Sequence, residues 1–461
     1  MIMLPESLKQ YTDLYSVHKN EMSGIYPPLL NDLHARAAQE LDESSGPRFR
    51  DAALLSECAP EKVFAPDCGV NLFRAESHVD VAASFRCDVP NISTLLGVVV
   101  NDMYHPTALM LKNLPQGVTV RSLAATAATD PVALEPYLNS LAGAAHSRAA
   151  MLNSLLLSDG IFIHVAEGVR LDKTIQIVNI FNSTAPTLTA RRVVLVAGKD
   201  SAVRVLFCDH SQSPEVTHIN SAVLEVYADK NSKVEVYDLE ESSPATRRYW
   251  QLFARQESDS SLTVNVNTLS GGLTHNEFVI ETVGDNTETD LSGLAVTSAD
   301  QVVDTRVTLT HKGTHSHSSQ LFKTALFDSS RGGFGGKVVV ADGAFFTDAA
   351  QTNRNLLLDT NAHMVTAPQL EIWCDEVKCS HGATTGQLDD RAMFYMRSRG
   401  IPEEEARMML TQAFMADVVE RVPLDVLRER LHHLVEKRLS GAAASCAGCS
   451  SNCSLNQDEN A

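Results

Sequence analysis

Between residues 160 and 366 the apolar positions alternate in short runs cut by turn residues, with very little helical periodicity. The runs 161–165, 174–180, 192–197, 202–207, 222–227, 233–237 and 261–269 read as strands. In the last of these, Leu262, Val264 and Val266 are expected to face a core, and Thr263, Asn265 and Asn267 to face outward. Asp159-Gly160, Glu167-Gly168, Asp229-Lys230-Asn231, Gly271-Gly272 and Asp342-Gly343 punctuate the runs. Strands do not alternate with helices, which excludes a doubly wound sheet. A sandwich, barrel, propeller or β-solenoid remains. No exact internal repeat decides among them. Short strands and outward Thr, Ser and Asn lean towards the solenoid, in which each buried Val or Ile adds roughly 1.5–3 kcal/mol and a long stack is stable by accumulation. The ends of such a stack need caps.

Helical flanks are the expected caps. Residues 1–88 read as an N-terminal helical region, with Leu30, Leu33, Ala37 and Leu41 at helical spacing before the breaker Ser44-Ser45-Gly46-Pro47. Residues 89–370 read as the β core, with a helical insertion near 131–157. Residues 371–440 form a C-terminal joint and helical domain. There, Pro402 and Glu403–Glu405 open an amphipathic helix carrying Met409, Leu410, Phe414 and Val418, and a second carries Leu424, Leu427, Leu431 and Leu434. The small polar residues 441–461 predict a disordered, cysteine-containing tail.

Composition narrows the partners. A formal net charge of −19 argues against nucleic acid and anionic membranes, both of which need a basic face. No apolar run is long enough to span a bilayer, and the first residues lack the charge and hydropathy of a secretion signal, so a cytoplasmic protein is expected. Nine cysteines, an odd number, read as free thiols or metal ligands rather than a disulfide framework.

Candidate chemistry concentrates in residues 371–400, where Cys374, Cys379 and His381 lie close together and the sequence changes from strand-like to helical. Ile372, Cys374 and Val377 read as a short strand and 382–386 as breakers. Asp389 is the expected N-cap of a helix carrying Met393, Phe394 and Met396. Cys379 and His381, two residues apart, share a face if the segment is extended. They fit a ligand pair, or a buried Cys beside a hydrogen-bonded His. Cys374 reads as packed core.

Three other motifs compete. His311, His315 and His317 have an even spacing that fits a strand face, but Gly313 interrupts it, and a polar outer face is the better reading. Cys446, Cys449 and Cys453 have metal-like spacing without a surrounding fold to preorganise them. Gly332-Gly333-Phe334-Gly335-Gly336-Lys337 superficially resembles a phosphate loop but has Val338 where the hydroxyl residue belongs, which argues against nucleotide binding.

The segment from Val377-Lys378-Cys379-Ser380-His381-Gly382 to Asp389, with Phe394-Tyr395-Met396-Arg397-Ser398-Arg399-Gly400-Ile401, resembles the SufB/SufD family of the SUF iron–sulfur cluster assembly machinery. Gln351 to Leu358 and Pro368-Gln369-Leu370-Glu371-Ile372 carry the same likeness, as do Asp159-Gly160-Ile161-Phe162-Ile163 and Gly168-Val169. Gly382 and Asn353 stand where SufB carries Glu and Cys, which places the chain on the SufD side.

The resemblance implies a right-handed parallel β-helix flanked by helices, a heterodimer with SufB, and SufC bound through the C-terminal helices, at Met409, Phe414, Leu427 and Leu431. It implies a non-catalytic scaffold, ATP hydrolysis belonging to SufC. Iron or a nascent iron–sulfur cluster is then held transiently at the interface by His381 together with SufB, with Cys379 open as a second ligand, none being held by this chain alone. A flavin in the complex and a SufD homodimer stay open. The competing readings are a β-helix enzyme acting on polysaccharide and a homodimeric binding module.

Overall fold

The computed structural model describes residues 4–43, 53–75, 95–145 and 147–440. Consecutive strands do not form hairpins along most of the chain. They alternate between two ten-stranded sheets, so each rung gives one strand to each sheet and pairs in parallel with the rungs before and after it. This is the β-solenoid. Lys233 lies opposite Ser261, then Glu288, His317, Asp348 and Lys378, steps of 28, 27, 29, 31 and 30 residues. The rung is thus a structural repeat that tolerates insertions at its corners.

Alternation sends one set of side chains into the space between the sheets. Val234, Val236, Leu262, Val264, Leu291 and Phe322 from one sheet meet Leu252, Phe278, Ile280, Leu309 and Phe334 from the other. The outer faces are apolar as well, and this places the helices. Glu6–Ser23, Pro28–Glu43 and Arg148–Leu155 cover Leu188, Val194, Ile219, Val223 and Phe253 of the first sheet. Glu403–Val419 and Asp425–Leu439 cover Leu239, Leu269, Leu294, Val296 and Leu321 of the second. The helices therefore lie along the flanks rather than across the ends as expected. Asn265 and Asn267, expected outside, do face outward but are buried on this covered side, where Asn267 donates to Asn265 and Asn265 to Ser292. No helix among the described residues is long and apolar enough to cross a membrane.

The start of the stack is closed by two antiparallel pairings, Leu95–Val100 with Met103–Pro106 and Val118–Ser122 with Ile161–Val165. Gly69–Val70, within the region read as helical, adds a short parallel strand to Thr187–Ala197. Helices interrupt the early rungs from Ala108–Asn113 to Arg148–Leu155, a wider span than 131–157. At the far end the core runs past residue 370. His363–Ile372 and Lys378–Gly386 are both full strands, so the glycines read as breakers lie inside the last one, on an edge that leaves them room.

One corner is built from left-handed residues. Asp200, Asn231, Asp259, Asn286, His315 and Phe346 all have φ between 54° and 63°. Asn and Asp tolerate this region because their short side chains bond locally, as Asn231 does to Asp200 and Asn286 to Asp259. Replacing exposed Asn286 by Ala is expected to cost about 1–2 kcal/mol, from left-handed strain and the lost bond, and replacement by Gly much less. Chemical-denaturation midpoints of the two variants check it.

Charges are buried between the sheets. Arg248 Nη2 donates to both oxygens of Asp238 at 2.7 Å, and its guanidinium pairs with Asp209 at 3.1 Å and Glu240 at 3.5 Å. Burial pushes the Glu240 carboxyl up to about 7, against the pull of Arg248, with Asp209 and Asp238 adding to the rise. The folded chain keeps this proton where the unfolded chain, with its ordinary value of 4.5, has released it. Between those values the folded state binds more protons, so this contribution to stability falls as pH rises. Glu240→Gln is expected to gain on the order of 2–3 kcal/mol relative to the parent on going from about pH 5 to about pH 8. Paired denaturant titrations at the two pH values measure the difference.

Candidate functional site

The last two strands each leave one edge without a β partner among the described residues. Lys378–Gly386 lies in parallel on Asp348–Leu357, with Cys379 opposite Ala349 and His381 opposite Gln351. His381 thereby ends the inward column Val236, Val264, Leu291, Gln320, Gln351. The column is apolar through the body and polar in its last three rungs. Gln351 donates to Gln320 at 2.9 Å, and the absence of a side chain at Gly336 makes the space, since a Cβ there would sit 2.2 Å from the Gln351 amide.

Cys379 and His381 share a face, as their spacing predicts, yet their surroundings differ. Cys379 is half-buried against the small cluster of Val338, Val340, Ala344, Ala349 and Cys374. Burial raises its thiol pKa and Asp348 adds to the rise, while a backbone hydrogen bond at Ala349 opposes it. His381 is exposed. No further strand among the described residues covers it. Cys374 is buried, as expected of core. Asn353 is buried on the adjacent rung, opposite Ala383, and bonded to Asn355 and the Phe322 carbonyl.

Exposed apolar side chains surround this end. Trp373 is 69% exposed, Phe394 75% and Tyr395 60%, with Val365, Ile372, Phe345 and Phe346 also open. Phe394 and Tyr395 stand on Asp390–Ser398, a helix with no buried residue whose first turn Asp389 caps through the Arg391 N–H. The sequence reading missed this exposure because a strand through Ile372, Cys374 and Val377 and a helical face with Phe394 do not say whether either surface is covered.

The C-terminal helices differ from expectation in which residues they offer. Leu427 and Leu431 are buried against the second sheet and Phe414 packs beside them, so the apolar stripe serves this chain's own core. Met409 is 43% exposed and available. Polar clamps fix the helices: Lys323 donates to the Phe414 carbonyl at 2.6 Å and pairs with Asp417, and Arg421 reaches Asp290.

Two motifs lose their competing readings. His311 is buried rather than on a polar outer face, placed between Thr282 and Ser318, and burial lowers its pKa to about 4. The turn before His317 separates it from His315 and His317, so the three share no face. The 332–337 run is the middle of a strand paired on both sides, which removes the loop a phosphate needs. Cys446, Cys449 and Cys453 lie outside the described residues.

A solenoid whose last rung is a polar, open edge defines the class, and sequence comparison gives the family. Residues 179–414 match the family described as SUF system FeS cluster assembly, SufBD core domain, and residues 5–177 match the SufBD protein N-terminal region. The chain belongs to the SufBD family of the SUF iron–sulfur cluster assembly system. It is 27% identical over 370 residues to an iron–sulfur cluster assembly SufBD family protein of Synechocystis sp., covering 78% of this chain and 81% of the relative. It is 39% identical over 175 residues to the iron–sulfur cluster assembly protein SufD of Escherichia coli, covering 38% and 41% of the two chains. Against SufD of Bacillus subtilis it is 26% identical over 289 residues, covering 62% and 66%.

The raised thiol pKa makes Cys379 a slow nucleophile at neutral pH. Asp348→Asn removes a neighbouring carboxylate and is expected to speed alkylation of Cys379 modestly, read by peptide mass spectrometry over a pH series. An unchanged rate profile contradicts the electrostatic account.

Proposed function

We propose that this chain is a non-catalytic scaffold of iron–sulfur cluster assembly whose open last rung is completed by SufB. The observation that carries it is His381 at the end of an inward column, on a strand with one edge unpaired among the described residues, at the end of the stack where exposed aromatic residues occur. An unpaired strand supplies backbone donors and acceptors to an added strand, and exposed aromatics give the area that holds a partner. The SufD relatives and the family support the SUF assignment.

In this reading His381 gives one nitrogen ligand to iron or a nascent cluster, the cargo of the system. Cys379 stands one inward position behind it as an auxiliary thiol. SufB supplies the remaining ligands, so no cluster is held by this chain alone. SufC docks on the C-terminal helices through Met409 and its exposed neighbours, with Leu427 and Leu431 fixing those helices from beneath. ATP hydrolysis belongs to SufC, and its work reaches the edge as a change in helix position.

Co-expression with SufB and SufC tests the reading. The three chains are expected to co-elute. Trp373→Glu combined with Phe394→Glu is expected to weaken SufB retention at least about tenfold. His381→Ala should leave the complex intact while lowering the cluster formed in anaerobic reconstitution. A chain that elutes alone, or a His381→Ala complex that assembles clusters as well as the parent, overturns it.

A further inference from the structure

A second group of potential ligands lies on the other sheet, beneath the N-terminal segment. His275 and Asp304 are cross-strand neighbours on the outer face of the first sheet, and the turn Ser56–Cys58 lays Cys58 over them. The ligand atoms of Cys58, His275 and Asp304 all lie within 4.8 Å of one another, and all three residues are fully buried. His275 Nδ1 is 3.2 Å from Asp304 Oδ2, which also accepts from the Leu54 N–H at 2.7 Å.

Two features distinguish this group from a satisfied buried ion pair. His275 Nε2 and Asp304 Oδ1 are both buried without a hydrogen-bond partner, and such atoms are costly unless something occupies them. Gly333 follows Asp304 in register, and a Cβ there would sit 2.4 Å from Asp304 Oδ1. The unpartnered oxygen occupies space that a larger residue would fill. Nearby Glu277 is engaged by Gln251 at 2.6 Å, so it does not satisfy either atom.

We propose that Cys58, His275 and Asp304 bind one thiophilic divalent d-block ion, of the zinc(II) type, which staples the N-terminal segment to the solenoid. Thiolate, imidazole and carboxylate are the donor set such ions take, and the thiolate disfavours calcium or magnesium. On binding, the Cys58 thiol loses its proton to solvent and sulfur forms the bond to the metal. A dication with one thiolate and one carboxylate is electrically neutral, which suits a buried site. Because binding releases the thiol proton, affinity rises with pH. The site is apart from His381 and does not rest on the assembly reading.

The test uses the full chain alone, with Cys379, Cys446, Cys449 and Cys453 replaced by Ser, expressed in cobalt(II)-supplemented medium and purified anaerobically. The expected result is one retained equivalent of cobalt with a thiolate-to-metal charge-transfer band. Cys58→Ser in this background is expected to lose the band, and His275→Gln to lose at least about tenfold in retention. Circular dichroism of each variant separates lost coordination from lost fold. A chain that retains no equivalent, or a folded Cys58→Ser variant with the same band, overturns the proposal. The first of these outcomes needs no variant to fold beyond the parent background.

Discussion

Parallel, in-register stacking is the constraint on which the other features depend. A residue on one rung has the corresponding residues of two neighbouring rungs as its nearest partners, so each position belongs to a column rather than to a pair. Columns such as Val236, Val264 and Leu291 make the interior self-consistent over many rungs. The same rule gives the last rung its character. His381 inherits the inward direction of its column but, among the described residues, has a strand neighbour on one side only, so it is both oriented by the core and open to solvent. A histidine on a loop would have the second property without the first.

The constraint also explains the flanking helices. Stacking satisfies backbone hydrogen bonds along the stack, leaving two broad outer faces whose side chains must be wetted or covered. Here they are apolar over much of their length, and they are covered. Buried charges then fix where the helices sit. Arg192 pairs with Glu225 beneath the helical insertion, where Glu225 accepts the backbone N–H groups of Asn139, Leu141 and Ala142 at the start of the helix Ser140–Ala144. Lys323 does the equivalent for the C-terminal helices through Asp417 and the Phe414 carbonyl. Losing one partner of such a pair leaves an uncompensated buried charge, which costs more than the pair itself contributes.

Much of this was legible in the sequence. Alternation at 261–269 marked the strands, Asp389 the start of a helix, and the order helix, β, helix the architecture. The residues from Val377 to Ile401 pointed to the family. The rung repeat was not legible, because a rung requires inward apolar positions and a turnable corner, not particular residues, and its step varies from 27 to 31. Asn265 and Asn267 were misplaced because polarity predicts a face, not whether that face is covered. The burial of Leu427 and Leu431 against the second sheet was hidden for the same reason, since an amphipathic stripe does not reveal whether its partner is its own chain. Cys58, His275 and Asp304 are brought together by stacking and by the return of the N-terminal segment, and no local spacing connects them.

The two ends of the stack differ in a way that bears on self-association. At the start, antiparallel pairings finish both sheets. At the end, two strands have no further partner among the described residues, and an open edge pairs indiscriminately unless something opposes it. Lys378 and Asp348 pair charges across the last two rungs of one sheet, and Glu371 and Lys337 across the last two of the other. The net charge of −19 adds repulsion between identical copies at a distance. A second copy of this chain must overcome that repulsion before the exposed aromatic residues at this end can make contact. The heterodimer proposed above meets less of this repulsion where the partner's charge is smaller or opposite.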